Sequence, residues 1–330
     1  MKPALVAHVR HWPLRRPFAI SRQTFTENIV LEVHVMHSGA TGRGESEPHE
    51  YDVSVTEAAA QALQALDRDR WEHLDPPSMN GLVSRSALRN ALDCALWDLR
   101  AKRTGRRVWE ILGLDIRSDA RFPIVQTLGL DTPERMATAA RTARAAPGLK
   151  IKLGHPDGRD TERLEAIRAA VPGLLLTIDA NEGWSPEYLR GMLPLAARHD
   201  VAFIEQPLPA TMDAALAEMP RYVPFCADES CLDRRSLPDI VGRYQMINIK
   251  LDKTGGLTEA LALVDAAREL GLKYMVGCNA GSSLAQAPAV LLASDALMVD
   301  LGVDELAADQ AVPLDCSSYF VRMPSPLLWG

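Results

Sequence analysis

The chain has 330 residues, 47% of them hydrophobic, and a formal net charge of −7. This length and composition allow one large domain plus a smaller one and exclude a disordered or low-complexity protein. The charges form no acidic or basic blocks, so we expect a small-molecule substrate rather than nucleic acid or a membrane surface. Five cysteines without zinc-site spacing, and no continuous apolar segment near the N-terminus, predict a cytoplasmic protein with free thiols.

The first part of the chain predicts an α+β unit. Residues 4–9 and 28–35 run or alternate apolar like antiparallel strands, whereas residues 54–66 and 86–112 have the apolar spacing of helices. In the second helical segment the leucines share one face, and the charged residues lie largely elsewhere. Strands followed by helices are typical of an α+β domain.

Beyond residue 121, apolar strand-like runs alternate with helix-like segments, which is the βαβ pattern. No Gly-rich phosphate loop follows an early strand, so we favour a closed barrel over an open doubly wound sheet. The final 19 residues, 312–330, are too irregular for another βα unit and are expected to fold back onto the first domain. Eight strands are predicted, at residues 122–128, 149–153, 174–179, 202–205, 224–227, 246–251, 273–277 and 296–301, with helices at 161–170, 186–198 and 257–270, the last opened by a loop and N-cap at 254–258.

Three carboxylates stand at the ends of successive predicted strands, namely Asp179, Glu205 and Asp228. In a closed barrel the strand ends converge on one pocket, where carboxylates without a cation would repel one another. Oxygen ligands without His or Cys fit Mg²⁺, or Mn²⁺, better than zinc. Any one of these carboxylates alone could cap a loop or pair with an arginine, but three at equivalent positions favour a metal site.

Two lysines are predicted to flank this metal site. Lys152 ends the second strand and Lys250 lies on the sixth, so they approach the centre from opposite sides. A lysine becomes a useful base only when burial or a nearby cation lowers its pKa, and Lys150 on the same strand face supplies such a charge. A metal-bound substrate carboxylate would be stabilised as an enediolate while one lysine removes the α-proton and the other returns it. The alternative is that these lysines lie on the surface.

These residues resemble the enolase superfamily, specifically its muconate-lactonizing subgroup and the dipeptide epimerases of the L-Ala-D/L-Glu epimerase type. The resemblance implies an α/β fold, a modified (β/α)₇β TIM barrel with an N-terminal α+β capping domain. The implied domains are residues 1–115 for the cap, 116–311 for the barrel and 312–330 for a segment packing back on the cap. The matching motifs are Lys150-Ile151-Lys152, Asp179-Ala180-Asn181, Ile204-Glu205-Gln206-Pro207, Ala227-Asp228-Glu229-Ser230 and the run from Asn248 to Gly256.

The resemblance also implies roles for individual residues. Mg²⁺ would bind the three strand-end carboxylates, and Lys152 and Lys250 would be the catalytic acid and base. Lys150, counted among the substrate-binding residues, and Asn181 would support them. Arg22, in a segment that resembles the family's flexible loop, would meet a substrate side-chain carboxylate, although it is equally interpreted as an exposed loop residue.

The sequence departs from the resemblance at the end of the eighth strand. Dipeptide epimerases have Asp-x-Asp there to hold the substrate ammonium group, whereas this chain has Asp300 followed by Gly302. Asp304 would substitute if the loop bulges, and Asn279 stands after the seventh strand where an apolar residue is expected. We therefore predict Asp300, Asp304 and Asn279 as substrate-binding residues with a changed specificity, for a different dipeptide or an N-acylated amino acid.

The leading hypothesis is a Mg²⁺-dependent dipeptide epimerase, an isomerase that inverts an α-carbon. Its alternatives are an N-acyl amino acid racemase, or a cycloisomerase or sugar-acid dehydratase of the same superfamily. None of the eight histidines lies at the end of strands six to eight, which favours proton transfer over dehydration. A non-catalytic barrel is a third class, disfavoured because a buried charge cluster is costly to keep. A homo-oligomer is a further prediction.

Overall fold

The computed structural model describes residues 4–21, 24–47, 56–58, 60–61, 86–279, 281–302, 306 and 312–330. Most of the helix predicted at 54–66 lies outside this part of the chain. The first unit is an antiparallel sheet of β1 (Ala4–Ala19), β2 (Thr24–His37) and β3 (Ala40–Ser46), followed by α1 (Ser86–Thr104) and α2 (Val108–Leu112). The apolar face of α1 packs on the inner face of this sheet, as its spacing predicts.

The remaining strands form a parallel barrel and one small antiparallel pair. The eight parallel strands, from β5 (Gln126–Leu128) to β12 (Val299–Asp300), are neighbours in chain order. Val125 N donates to Val299 O at 3.0 Å, so the two edge strands meet and the sheet closes. The strands are β4 (Arg121–Pro123), β5 (Gln126–Leu128), β6 (Gly148–Lys152), β7 (Leu175–Asp179), β8 (Val201–Glu205), β9 (Phe225–Ala227), β10 (Met246–Ile249), β11 (Lys273–Gly277), β12 (Val299–Asp300) and β13 (Phe320–Arg322).

Helices connect most of the barrel strands, and the three predicted helices are found with bounds within one residue of the prediction. The connections after β8, β9 and β11 consist instead of 3₁₀ turns and short helices. None of the described helices is long and apolar enough to cross a membrane. The helices are α3 (Pro133–Thr142), α4 (Asp160–Ala170), α5 (Pro186–Arg198), α6 (Leu237–Ile240), α7 (Leu251–Thr254), α8 (Leu257–Glu269) and α9 (Ser283–Gln286).

The predicted fold class, a barrel with an N-terminal α+β unit, is confirmed, and the first predicted strand was wrong in one respect. Residues 122–128 do not form one strand. The β4 segment pairs antiparallel with β13 outside the barrel, and only β5 enters the parallel sheet. The predicted domain limits at 115/116 and 311/312 stay predictions.

The barrel interior is layered, which sets the height of the polar side chains. An apolar layer fills its N-terminal end and is formed by Val125, Phe203, Cys226, Met246, Met275 and Met298. Side chains along a strand alternate between its two faces, so the residue two positions later points inward one layer higher. The next layer is therefore polar, since it contains Thr127, Glu205, Asp228, Asn248 and Asp300.

The C-terminal segment packs on the first unit. Trp329 is fully buried, and its Nε1 donates to Cys94 O of α1 at 2.9 Å. Gly330 N donates to Asp98 Oδ1 at 2.8 Å, and the Arg43 guanidinium donates to Leu328 O at 2.6 Å. These contacts join the chain end to both α1 and β3.

The polar face of α1 forms the interface with the barrel. Arg89 donates to Thr254 O at 2.8 Å, and Asn90 Nδ2 donates to Asp252 Oδ1 at 2.7 Å. Asp93 accepts from Thr258 N at 3.1 Å and from Thr258 Oγ1 at 2.6 Å. The sequence predicts a local N-cap for α8, but the residue before α8 makes no side-chain cap bond. Asp93 of the first unit accepts from the start of this helix instead.

Two glycines make this close approach possible. Gly255 has φ +83°, and a Cβ added there would lie 2.3 Å from the Arg89 guanidinium. A Cβ at Gly256, with φ +114°, would lie 2.6 Å from Asp93 Oδ2. Both the backbone conformation and the space therefore require glycine.

A buried carboxyl group at the same interface predicts a pH-dependent stability. Glu45 is 1% exposed, and it accepts from Ser282 N and Ser282 Oγ, both at 2.7 Å. Burial raises its pKa to about 7. Because the folded pKa lies above the unfolded value, this contribution to stability is complete below about pH 4 and is lost as pH rises through 7.

Glu45→Gln is expected to flatten this dependence. The amide oxygen can accept from Ser282 N, the amide NH₂ can donate to Ser282 Oγ, and the side chain cannot ionise. The stability lost between pH 5 and pH 8 should therefore be smaller in the variant than in the wild type, by on the order of 1–3 kcal/mol. Urea denaturation at both pH values measures this difference. The exposed control Glu218→Gln should keep the wild-type dependence, and equal slopes for Glu45→Gln and the wild type would contradict the assignment.

Candidate active site

Three carboxylates meet at the C-terminal end of the barrel. Asp179 and Glu205 end β7 and β8, and Asp228 directly follows β9. All three side chains are buried, and each offers an oxygen within 4.8 Å of the other two. This cluster is the metal site that the sequence predicts, and its all-oxygen donor set suits Mg²⁺ or Mn²⁺. Burial and the nearby Asp179 charge raise the pKa of Glu205 to about 7.

Lys150 neutralises the base of this cluster. Its Nζ lies 3.1 Å from Asp179 Oδ2, 2.9 Å from Glu205 Oε2 and 3.0 Å from Asp300 Oδ2, and the side chain is 2% exposed. Burial lowers the Lys150 pKa, but the carboxylates outweigh it and hold the net pKa well above the usual value. Three carboxylates therefore surround the ammonium group, which favours a supporting role over the predicted contact with substrate.

Lys152 and Lys250 lie on opposite sides of the cluster, because β6 and β10 are four strands apart in a barrel of eight. Lys152 Nζ donates to Asp179 Oδ2 at 2.6 Å and to Asn181 Oδ1 at 2.9 Å. Lys250 Nζ donates to Asp228 Oδ2 at 2.7 Å. Burial lowers the pKa of Lys250, but the Asp228 charge raises it more, so the net pKa is above the usual value.

The predicted substrate-binding residues are only partly described. Asp300 ends β12, accepts from Thr127 Oγ1 at 2.6 Å and contacts Lys150. Asn279 Nδ2 donates to Glu47 Oε2 of the first unit at 3.1 Å. Arg22 and Asp304 lie outside the described residues, although Ser21 Oγ, next to Arg22 in the chain, donates to Asn181 O at 3.0 Å.

A cavity of about 300 Å³ opens above the carboxylates. The first unit contributes Phe18, Ile20, Phe25 and Glu47 to its wall, and Gly302 stands beside Asp300. Both flanking lysines line the cavity, as do Lys150, Asn181, Asp228 and Asn279. Two units therefore enclose one site, which is large enough for a small ligand.

Several polar residues of the site were quoted in the sequence motifs without a role. Glu229 lines the cavity. Gln206, fully buried, accepts from Asp228 N at 2.9 Å and so ties the ends of β8 and β9 together. Lys253 Nζ contacts Asp228 Oδ1. The sequence signal that could have identified these three residues is a charged or amide side chain within three positions of a predicted metal ligand or base.

Two family models match this chain. Residues 4–113 match the N-terminal domain of mandelate racemase/muconate lactonizing enzyme, and residues 134–311 match an enolase C-terminal domain-like model. The chain belongs to the mandelate racemase/muconate lactonizing enzyme family. The resemblance inferred from the sequence motifs is thereby confirmed.

Several known proteins are similar to this chain over most of its length. L-Ala-D/L-Glu epimerase of Escherichia coli is 40% identical over 303 residues, which cover 90% of this chain and 92% of the relative. N-acetyl-D-glutamate racemase of a Pseudoalteromonas species is 42% identical over 263 residues, 79% and 82% of the two chains. The crystal structure of an Agrobacterium tumefaciens enolase family member, with homology to dipeptide epimerases and with bound sodium and L-Ala-L-Glu, has a TM-score of 0.93, 38% identity and coverage of 99% and 100%.

Proposed function

We propose that this protein is a Mg²⁺-dependent epimerase of dipeptides of the L-Ala-D/L-Glu type, which transfers a proton from one face of an α-carbon to the other. The observation that carries the proposal is the placement of Lys152 and Lys250 on opposite walls of one cavity, with carboxylates at its base. A single base can remove and return a proton only on its own face. Two opposed lysines are what inversion requires.

The three carboxylates of Asp179, Glu205 and Asp228 are the proposed Mg²⁺ ligands. When bound, the ion supplies positive charge that stabilises the negative charge developing on the substrate carboxylate as the α-proton leaves. Lys152 and Lys250 contact oxygens of the same carboxylates. A bound ion would compete with both ammonium groups for this negative charge.

The substrate class is proposed from the relatives and the cavity. The names of the two relatives share an amide-linked glutamate, in a dipeptide or under an acetyl group. We propose that Arg22 meets the side-chain carboxylate, and that Asp300, Asn279 and Asp304 contact the N-terminal part of the substrate. Of the residues that the structure describes, those lining the cavity include no histidine, which supports proton transfer rather than dehydration.

N-acyl amino acid racemisation is the second candidate, and one observation favours it. At the described end of β12, Asp300 is the only carboxylate available to a substrate ammonium group, since Gly302 has no side chain. The Asp300 oxygens already contact Thr127 and Lys150. A neutral acyl group has no need of a second carboxylate at this position.

Incubation with L-Ala-L-Glu and with N-acetyl-L-glutamate in D₂O tests both candidates. With Mg²⁺ we expect deuterium at the glutamate α-carbon together with inversion, detected by NMR and chiral chromatography, and the substrate with the higher kcat/KM identifies the class. EDTA should stop the exchange, and Mn²⁺ should restore it. An alkene or lactone product would replace the proposal with the dehydratase or cycloisomerase alternative. Absence of both exchange and Mg²⁺ binding would favour a non-catalytic barrel.

We also propose the domain limits 1–115, 116–311 and 312–330, which the two family-model matches support. Cytoplasmic residence is proposed because all five cysteines are free thiols, as expected for a reducing compartment. A homo-oligomer stays a prediction.

A further inference from the structure

The site contains two pairs of lysines with a common arrangement. All four lysines line the cavity. In the first pair the ammonium group of Lys150 lies within 3.1 Å of three carboxylates, whereas Lys152 contacts one carboxylate and the Asn181 amide. In the second pair Lys250 has one carboxylate contact, and Lys253 has three oxygen contacts. Lys253 Nζ donates to Asp228 Oδ1 at 2.5 Å, to Asp228 O at 2.6 Å and to Asn248 O at 3.0 Å.

Asp228 is held from both sides by this second pair. Its Oδ1 contacts Lys253, and its Oδ2 contacts Lys250. Because Lys253 binds both the side-chain and the main-chain oxygen of Asp228, it restricts rotation of the carboxylate about its side-chain torsions. A carboxylate held by a single contact would keep that freedom.

Lys253 also connects three strand ends. It lies on α7, directly after β10, and contacts the residue that follows β9. Asn248, whose carbonyl accepts from Lys253, donates through Nδ2 to Glu205 Oε1 at 2.8 Å. The side chain of Lys253 is 13% exposed, so its charge is poorly screened by solvent.

We propose that Lys253 is a positioning residue that fixes the Asp228 carboxylate for metal binding and keeps Lys250 aimed at the substrate. The inference rests on the proposed function, since it assigns Asp228 to the metal and Lys250 to the proton. Lys253 also lines the cavity, but its ammonium group is directed to oxygens of Asp228 and Asn248, which assigns it to positioning rather than to substrate contact. Residues that orient metal ligands in this way typically change metal affinity or activity by about 10–100-fold when they are replaced.

Lys253→Met in the full-length protein tests this role, with Lys102→Met as the matched control. Lys102 Nζ makes a similar clamp in the first unit, since it donates to Asp98 Oδ2 at 2.6 Å and to Thr41 O at 3.0 Å. Mn²⁺ affinity is measured by electron paramagnetic resonance, and folding by thermal denaturation. We expect Lys253→Met to weaken Mn²⁺ binding by about 10–100-fold, because loss of the fixed Asp228 orientation outweighs the removal of one competing positive charge. Lys102→Met is expected to lower the melting temperature and leave the Mn²⁺ affinity unchanged.

Solvent exchange gives a second readout that a structural clamp would not move. Lys253→Met should slow α-proton exchange more for one epimer than for the other, and the slowed epimer should be the one that Lys250→Ala also loses. Lys253→Arg, which keeps the charge but not the three contacts, is expected to have an intermediate Mn²⁺ affinity, and this variant carries the test if Lys253→Met does not fold.

Different Mn²⁺-binding results would contradict the proposed function and the positioning role of Lys253. Wild-type protein that binds no Mn²⁺ would overturn the proposed function and the inference with it. Wild-type or tighter Mn²⁺ binding by Lys253→Met, or by Lys253→Arg where that variant carries the test, would overturn the positioning role alone, because Lys253 would then act only as a fold-stabilising or competing charge.

Discussion

Lys152→Ala and Lys250→Ala are each expected to abolish inversion while keeping solvent exchange at one epimer. Each lysine serves one face of the α-carbon, so its loss removes proton transfer on that face by a factor of about 10²–10⁴. The remaining lysine still removes and returns a proton on its own face, without inversion. NMR of the two epimers in D₂O, recorded separately for each variant, measures both effects.

Lys273→Ala is the matched control for these two variants. Lys273 begins β11 and is exposed, so it lies at the end of the barrel away from the cavity. We expect this variant to invert the substrate at the wild-type rate. Equal loss of exchange at both epimers in either active-site variant would contradict the assignment of one lysine to each face.

Lys150→Met is expected to lower the free energy of unfolding by about 3–5 kcal/mol, because it leaves buried carboxylates without their cation. The affected groups are Asp179, Glu205 and Asp300, which share the Lys150 ammonium group. Urea denaturation in EDTA measures this loss. Millimolar Mg²⁺ should recover part of it, since a ligand that binds only the folded state stabilises that state.

The exposed Lys273→Met provides the comparison for the stability measurement and should change the free energy of unfolding by less than about 0.5 kcal/mol. A Lys150→Met protein as stable as the wild type in EDTA would mean that the carboxylates take up protons and do not need the ammonium group. An unchanged stability on addition of Mg²⁺ would contradict the metal site.

The barrel and its charged rim were predictable because several strands combine an apolar run with a polar residue at or directly after its end. Asp179 and Glu205 follow this pattern, and the closed topology then brings them together. The division of the first predicted strand was not predictable in the same way. Residues 122–128 form one apolar run, but Phe122 pairs with Val321, nearly 200 residues away, in antiparallel register. Such a long-range pairing leaves no local pattern.

The contacts of the polar face of α1 could not be predicted from the sequence either. Helical periodicity distinguishes its apolar face from its polar face, but it does not tell what the polar face meets. Arg89 and Asp93 are both buried against the barrel, where a surface position would have been the ordinary expectation. The contacts of Lys253 were not predicted for a related reason. A lysine in a short helix after a strand has the sequence context of a solvent-exposed residue.

The contact between α1 and the glycine pair after α7 limits how the first domain can be exchanged. Arg89 contacts Thr254 and Asp93 contacts Thr258, so together they hold the segment that begins four residues after Lys250. A chimera that takes its N-terminal half from another family member, in order to alter substrate choice, must therefore retain these two side chains together with Gly255 and Gly256. If these residues are not retained, the graft would displace the amine of Lys250 in addition to replacing the binding loops.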